Sequence, residues 1–162
     1  MPGVIAKHSE PPLRILFVCM GNTCRSPMAE VMLRHNAVRR GLHISVASAG
    51  VRCGNPGGPA NDHAVAAMQA RGMDLSTHTQ RRFDDAKVGW YDMIVALDVD
   101  VRDAIIQQSP DAHGRLYVLG QGVPDPYEQG PDAYQRAVDL IASGIEGLLA
   151  SSAMQACQSS SS

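Results

Sequence analysis

Cys19 and Arg25 stand six positions apart in Cys19-Met-Gly-Asn-Thr-Cys-Arg25-Ser26-Pro27. That spacing lets the backbone N–H groups of a short loop curl round a phosphate while the arginine adds a bidentate fork. Spacing by itself decides little, since a chain with these cysteines and arginines holds such a pair by chance about 0.3 times. Context carries the argument. Cys19 closes the apolar run Arg14-Ile-Leu-Phe-Val-Cys19, and Ser26-Pro27 reads as a helix N-cap with proline at the first helical position. Loop amides and a helix N-terminus then converge on one point, where they favour an anion and the nucleophilic thiolate form of Cys19. Gly21 lets the backbone approach closely, and Asn22 tolerates a left-handed conformation. Ser26 can also donate to the sulfur, which makes it a better leaving group in a second step. A buried structural Cys19 beside a surface Arg25 is the alternative, and their placement argues against it.

Phosphoryl transfer through a cysteine needs a proton for the leaving oxygen, which a positioned carboxylic acid can supply. Asp125 is the candidate, in Val123-Pro-Asp-Pro-Tyr127, where Pro126 holds the aspartate backbone extended. Alone it reads as an Asp-Pro turn. Joined to the first loop, it reads as an acid.

These residues need a scaffold, and the pattern supplies one. Arg14–Cys19 is continuously apolar, as a strand buried on both faces of a parallel sheet is. A helix of about four turns should run from Ser26 to a stop at Gly41. His43–Ala47 is a second strand, after which Ser48-Ala-Gly50 opens a Gly/Pro-rich loop to about Ala60. Asn61 or Asp62 can cap a helix ending at Gly72. Tyr91–Leu97 is a third strand, Val101–Gln108 a short helix and Leu116–Leu119 a fourth strand, followed by a loop over 120–130. In the last helix Tyr134, Val138, Ile141, Ile145 and Leu148 recur at helical spacing, although Gly144 and Gly147 weaken it. Met28, Met32 and Met68 read as core. The order βαβαβαβα predicts a single α/β domain, a doubly wound, flavodoxin-like four-stranded parallel sheet with helices on both faces and the phosphate loop after strand 1. The domain should span 14–150, with tails at 1–13 and 151–162 disordered.

Composition narrows the function. With 162 residues, 44% hydrophobic and 19% charged, one globular domain is expected. A formal charge of −2 lacks the basic stripe of a nucleic-acid binder. The apolar run Ile15–Met20 is far shorter than the ~20 residues of a membrane span, so no membrane insertion is expected. Four cysteines without a CxxC pair or an export signal suggest a reducing cytoplasm and no disulfide framework. Cys53 and Cys157 read as incidental, and His63 and His113 as surface residues. No metal-ligand constellation is present, and Lys7 and Lys87 lack the glycines of a Walker loop. No cofactor is expected.

Val18-Cys-Met-Gly-Asn-Thr-Cys-Arg-Ser-Pro-Met-Ala-Glu30 resembles the signature of the low-molecular-weight protein tyrosine phosphatases, and Asp125-Pro-Tyr127 resembles that family's distal acid motif. The resemblance covers about 14–150 and includes Ser48-Ala-Gly50, Gly72-Met-Asp-Leu-Ser-Thr-His78 and Leu97-Asp98, in the family's order. It implies that Cys19 is the nucleophile, Arg25 binds phosphate and Asp125 is general acid and then base. Met20, Gly21, Asn22, Thr23, Cys24 and Ser26 would surround the phosphate. Ser48 and His78 would join Asn22 and Ser26 in a network shaping the loop, and Tyr127 would line the rim. Cys24 would either protect Cys19 through a disulfide or be a small buried thiol. Three departures mark this chain: Val51–Pro56 contains no aromatic, His78-Thr-Gln-Arg-Arg82 replaces His-x-Ala-Arg-Gln, and one tyrosine rather than a pair follows Asp125-Pro126. They are similar to a bacterial-type member, monomeric or weakly dimeric, whose partner is a tyrosine-phosphorylated protein, in particular an autophosphorylated bacterial tyrosine kinase of polysaccharide export.

Two rivals follow from the same residues. Thioredoxin-coupled arsenate reductases share the loop but relay a disulfide through further cysteines, and Gly54 to Ala156 contains none. A catalytically silent phosphate-binding module would need neither Cys19 nor Asp125.

Overall fold

The computed structural model describes residues 11–155. Strands β1 (Leu13–Cys19), β2 (Ile44–Gly50), β3 (Met93–Ala96) and β4 (Leu116–Val118) form one sheet in the order β2-β1-β3-β4. Every pairing is parallel. Helices α1 (Arg25–Arg40), α2 (Asp62–Gln69), α3 (Val99–Gln108) and α4 (Pro131–Leu149) alternate with the strands, giving the expected doubly wound α/β architecture.

The pleat of β1 divides the core. Ile15, Phe17 and Cys19 pack with Met28 and Leu33 of α1, Met68 of α2 and Tyr134, Val138, Ile141 and Ile145 of α4. Leu16 and Val18 point the other way, toward Val101 and Ile105 of α3. A strand covered on both faces must be apolar at successive positions, which is why Ile15–Val18 shows no alternation. Because β1 lies between β2 and β3, the chain reverses its winding direction beside it, and the crevice beyond its carboxyl end falls at Cys19.

Several boundaries differ from expectation, each for a tertiary reason. Ser26 is not an N-cap: Cys24 holds that position without a side-chain hydrogen bond, and Ser26 lies within α1 with its hydroxyl on Cys19. Pro27 therefore sits third in the helix, where an N–H would still have no intrahelical acceptor. Ser48-Ala-Gly50 does not open the loop, because pairing of Phe17, Val18 and Cys19 with Ser48, Ala49 and Gly50 carries β2 to the end of β1. Helix α3 starts at Val99, since Asp98 accepts the Val101 N–H and caps it. Gly41 ends α1 as expected, in a left-handed turn (φ 66°) whose following residue, Leu42, donates to Ala37 O.

The folded unit also exceeds 14–150. Leu13 is buried as the first residue of β1, and Ser152–Gln155 forms a helical turn that buries Met154 in the main core. The rest of the expected tails, 1–10 and 156–162, including Cys157, lies outside the described residues.

The two glycines of α4 are not equivalent. A Cβ on Gly144 would come within 2.6 Å of Leu119 Cγ, so the bare backbone lets α4 close on the end of β4, whereas Gly147 faces open space. Gly147→Ala should therefore stabilise the fold by up to about 1 kcal/mol through helix propensity. Gly144→Ala should destabilise it by about 1–3 kcal/mol through overpacking. Urea denaturation of the two variants, read as opposite shifts of the midpoint, checks the difference.

Candidate active site

The loop from Cys19 to Arg25 joins the end of β1 to the start of α1, and Asn22 is its hinge. Asn22 has φ 60° and is fully buried. A left-handed asparagine costs less than most residues there, and each of its polar groups is used. Its N–H donates to Cys19 Sγ at 3.3 Å. Its Nδ2 donates to Ser26 Oγ and to Ser48 Oγ, both at 2.9 Å, and its Oδ1 accepts from the Arg81 N–H at 2.8 Å. His78 Nε2 lies 3.0 Å from Asn22 O; a carbonyl only accepts, so that nitrogen carries the proton.

Cys19 is 3% exposed, with Ser26 Oγ 2.9 Å from its sulfur. Helix α1 follows directly, its first-turn N–H groups uncapped by any side chain and open to an anion. Arg25 is buried and held from behind. Its Nη1 donates to Asp98 Oδ2 at 2.6 Å and to Val123 O at 2.7 Å, while Nη2 lies 3.8 Å from Asp125 Oδ2. A buried guanidinium needs such partners to offset its desolvation. Asp125 itself is half exposed, and its Oδ1 accepts the Tyr127 N–H at 3.1 Å.

The structure thus brings together Cys19, Asn22, Arg25, Ser26, Ser48, His78 and Asp125. Met20 and Thr23 take part through their backbones, their carbonyls accepting from Arg52 N and Asn61 N. Gly21 is half-buried. Tyr127 stands at the surface, 55% exposed. Cys24 faces Tyr134, whose hydroxyl lies 3.3 Å from its sulfur, and Tyr134 in turn stacks on His63. Burial pushes the Cys24 thiol up and the Tyr134 phenol up with it, the phenol also being raised by its contact with Cys24. Cys19, Cys24 and Cys53 are all free thiols.

Asp98, Glu30 and Gly50 have roles that residue type and spacing do not reveal. Asp98 caps α3 with Oδ1 and grips Arg25 with Oδ2, so one carboxylate fixes two elements. Its place at the end of an apolar strand run and before a helix was the available signal. Glu30 accepts the Ser48 hydroxyl at 2.6 Å. A Cβ on Gly50 would lie 2.8 Å from Asn22 N, Gly21 C and Met20 O, so β2 can approach the loop only with glycine there. Among the described residues, no group of His, Cys, Asp or Glu is placed to hold a metal ion.

Two substitutions test this geometry through binding of inorganic phosphate. Gly50→Ala pushes the loop backbone and should weaken phosphate binding at least about tenfold. Asp98→Asn keeps an N-cap but releases the charged grip on Arg25, and should weaken binding by about 1–2 kcal/mol while leaving α3 formed. Calorimetric titration with far-ultraviolet circular dichroism reads both effects.

Residues 14–158 match the family model described as low molecular weight phosphotyrosine protein phosphatase. The chain is 33% identical, over 82% of its length and 90% of the relative's, to the probable low molecular weight protein-tyrosine-phosphatase EpsP of Ralstonia nicotianae. It is 32% identical, over 78% of its length and 83% of the relative's, to the protein-arginine-phosphatase of Bacillus subtilis. Among solved structures, Vibrio vulnificus Wzb in complex with benzylphosphonate superposes with a TM-score of 0.78 at 29% identity, covering 88% of this chain and 97% of that one. The Cys19–Arg25 loop at the end of the central strand, in a domain matched across nearly its whole length, makes the chain a member of the low molecular weight protein-tyrosine-phosphatase family and a hydrolase of that class.

Proposed function

We propose that this site hydrolyses phosphotyrosine in proteins through a phosphocysteine intermediate. The observation that carries this reading is Cys19 Sγ at the centre of the loop, within 2.9 Å of Ser26 Oγ, with Arg25 and Asp125 3.8 Å apart beside it. The Cys19 thiolate attacks phosphorus in line, while Arg25 and the loop amides hold the equatorial oxygens. Asp125 protonates the departing phenol oxygen, and the P–O bond breaks as the S–P bond forms. A water deprotonated by Asp125 then attacks the phosphocysteine, releasing phosphate and restoring the thiolate, with Ser26 donating to the leaving sulfur. The scheme needs no metal or cofactor.

The partner we propose is an autophosphorylated bacterial tyrosine kinase of polysaccharide export, supported by the aromatic-free Val51–Pro56 segment and the single tyrosine after Asp125-Pro126. A cytoplasmic site of action suits three free thiols. A second reading, phosphoarginine, draws on the same wall. Val51 and Arg52 donate to Cys19 O and Met20 O beside the loop, and neither they nor the residues to Pro56 supply an aromatic clamp. A relative as similar as the tyrosine phosphatases is named a protein-arginine-phosphatase.

Metal-free turnover separates these possibilities. Wild-type protein should hydrolyse p-nitrophenyl phosphate and a phosphotyrosine peptide, Cys19→Ser should hydrolyse neither, and Asp125→Ala should lower kcat on the peptide by about 10²–10⁴. Preference for a phosphoarginine peptide would select the second reading, and turnover retained in Cys19→Ser would overturn both. Capture of a tyrosine-phosphorylated kinase by Cys19→Ser from the native cell checks the partner.

A further inference from the structure

The face of α1 that carries Ser26 continues, at steps of four residues, to Glu30 and Arg34. Behind the loop these three side chains take part in a chain of hydrogen bonds with a defined direction. An ionised Glu30 can only accept, and its Oε1 takes the Ser48 proton at 2.6 Å. Ser48 Oγ is left to accept, which it does from Asn22 Nδ2. The other Nδ2 hydrogen goes to Ser26 Oγ, whose own proton then faces Cys19 Sγ at 2.9 Å in preference to Ala49 O at 3.4 Å. Arg34 Nη2 fixes the far end, donating to Glu30 Oε2 at 2.6 Å and to Val46 O at 3.0 Å.

Two locks therefore hold the Asn22 amide in the orientation that serves the sulfur. The Arg81 N–H occupies Oδ1, and the commitment of Ser48 to Glu30 keeps Nδ2 toward Ser48 and Ser26. If the Ser48 proton were turned toward Asn22 instead, a reversed amide would accept from both hydroxyls and draw the Ser26 proton away from Cys19. The Glu30 end of the chain opens away from the reacting atoms, onto a cavity of about 420 Å³ whose other charged or titratable walls are Arg34, Asp74, His78 and Arg81. Neither Cys19, Arg25 nor Asp125 lines it.

We propose that Glu30 is a positioning residue for the nucleophile: by taking the Ser48 proton, with Arg34 holding its second oxygen, it sets the direction of the Glu30–Ser48–Asn22–Ser26–Cys19 chain so that it ends as a donor to the sulfur. This rests on the reading of Cys19 as nucleophile. Charge, more than bulk, does the work, so a substitution of equal size should disturb it. In Glu30→Gln the new carbonyl oxygen is drawn to Arg34 and the new NH2 faces Ser48, which reverses the donor at that contact. Removing Arg34 as well frees the amide to turn its oxygen back to Ser48.

The test is the rate at which neutral iodoacetamide alkylates Cys19 at about pH 6, followed by mass spectrometry of the Cys19 peptide, alongside kcat on p-nitrophenyl phosphate. Glu30→Gln should slow both about tenfold. Glu30→Gln with Arg34→Met should recover most of the loss, a reversal that damage to the fold would not show. In a Ser48→Ala background, where the chain is already cut, Glu30→Gln should have no further effect. Undiminished alkylation in Glu30→Gln, a double variant slower than the single one, or an equal loss in the Ser48→Ala background would each overturn the proposal. Alkylation reads the sulfur without turnover, so failure of the phosphatase reading, seen as activity surviving in Cys19→Ser, stays distinct.

Discussion

The structure turns on one buried asparagine. Asn22 is held left-handed at a cost of about 1–2 kcal/mol for an ordinary residue, less for asparagine, and hydrogen bonds from several segments offset it. Ser26 comes from α1, Ser48 from β2, and His78 and Arg81 from the segment before β3. Each segment is anchored by its own packing, so the curl of the loop is imposed by the whole domain. Among the described residues no buried side-chain nitrogen or oxygen lacks a hydrogen-bond partner, as a polar network in low dielectric requires.

The same logic governs charge. Arg25 is a buried cation whose partners are Asp98, at the carboxyl end of β3, and the Val123 carbonyl, in the loop beyond β4. The Val123 N–H donates to Leu97 O at 2.7 Å, so the segment carrying Asp125 is tied to the strand end that holds Arg25. Cys19 and Arg25, from the loop after β1, therefore meet Asp125, from the loop after β4, at one edge of the sheet, with β3 between the two strands. A parallel sheet places all its strand-to-helix loops on one edge, where side chains distant in sequence meet.

This scaffold serves relatives named for tyrosine and for arginine, with comparable similarity to the present chain. What can differ is the rim, here Val51–Pro56 and the residues after Asp125. Loops on a rigid sheet can change without disturbing the core.

The sequence by itself determined the α/β alternation, the central apolar strand, the loop between Cys19 and Arg25, the stop at Gly41 and the candidacy of Asp125, because periodicity, turn chemistry and motif spacing are local properties written along the chain. It offered Ser26 as both a cap and a donor to the sulfur, and only the second role survives, because which one the hydroxyl takes depends on where Asn22 and Cys19 lie in space. It read Gly144 as a weakness, where contact with Leu119 makes it a fit. Asp98 as the grip on Arg25, Gly50 as the close approach and Glu30 as the end of a polar chain were decided only by tertiary structure. Each acts on a partner between 18 and 73 positions away through distances of a few ångströms, and such contacts are set by the packing of the sheet and its helices.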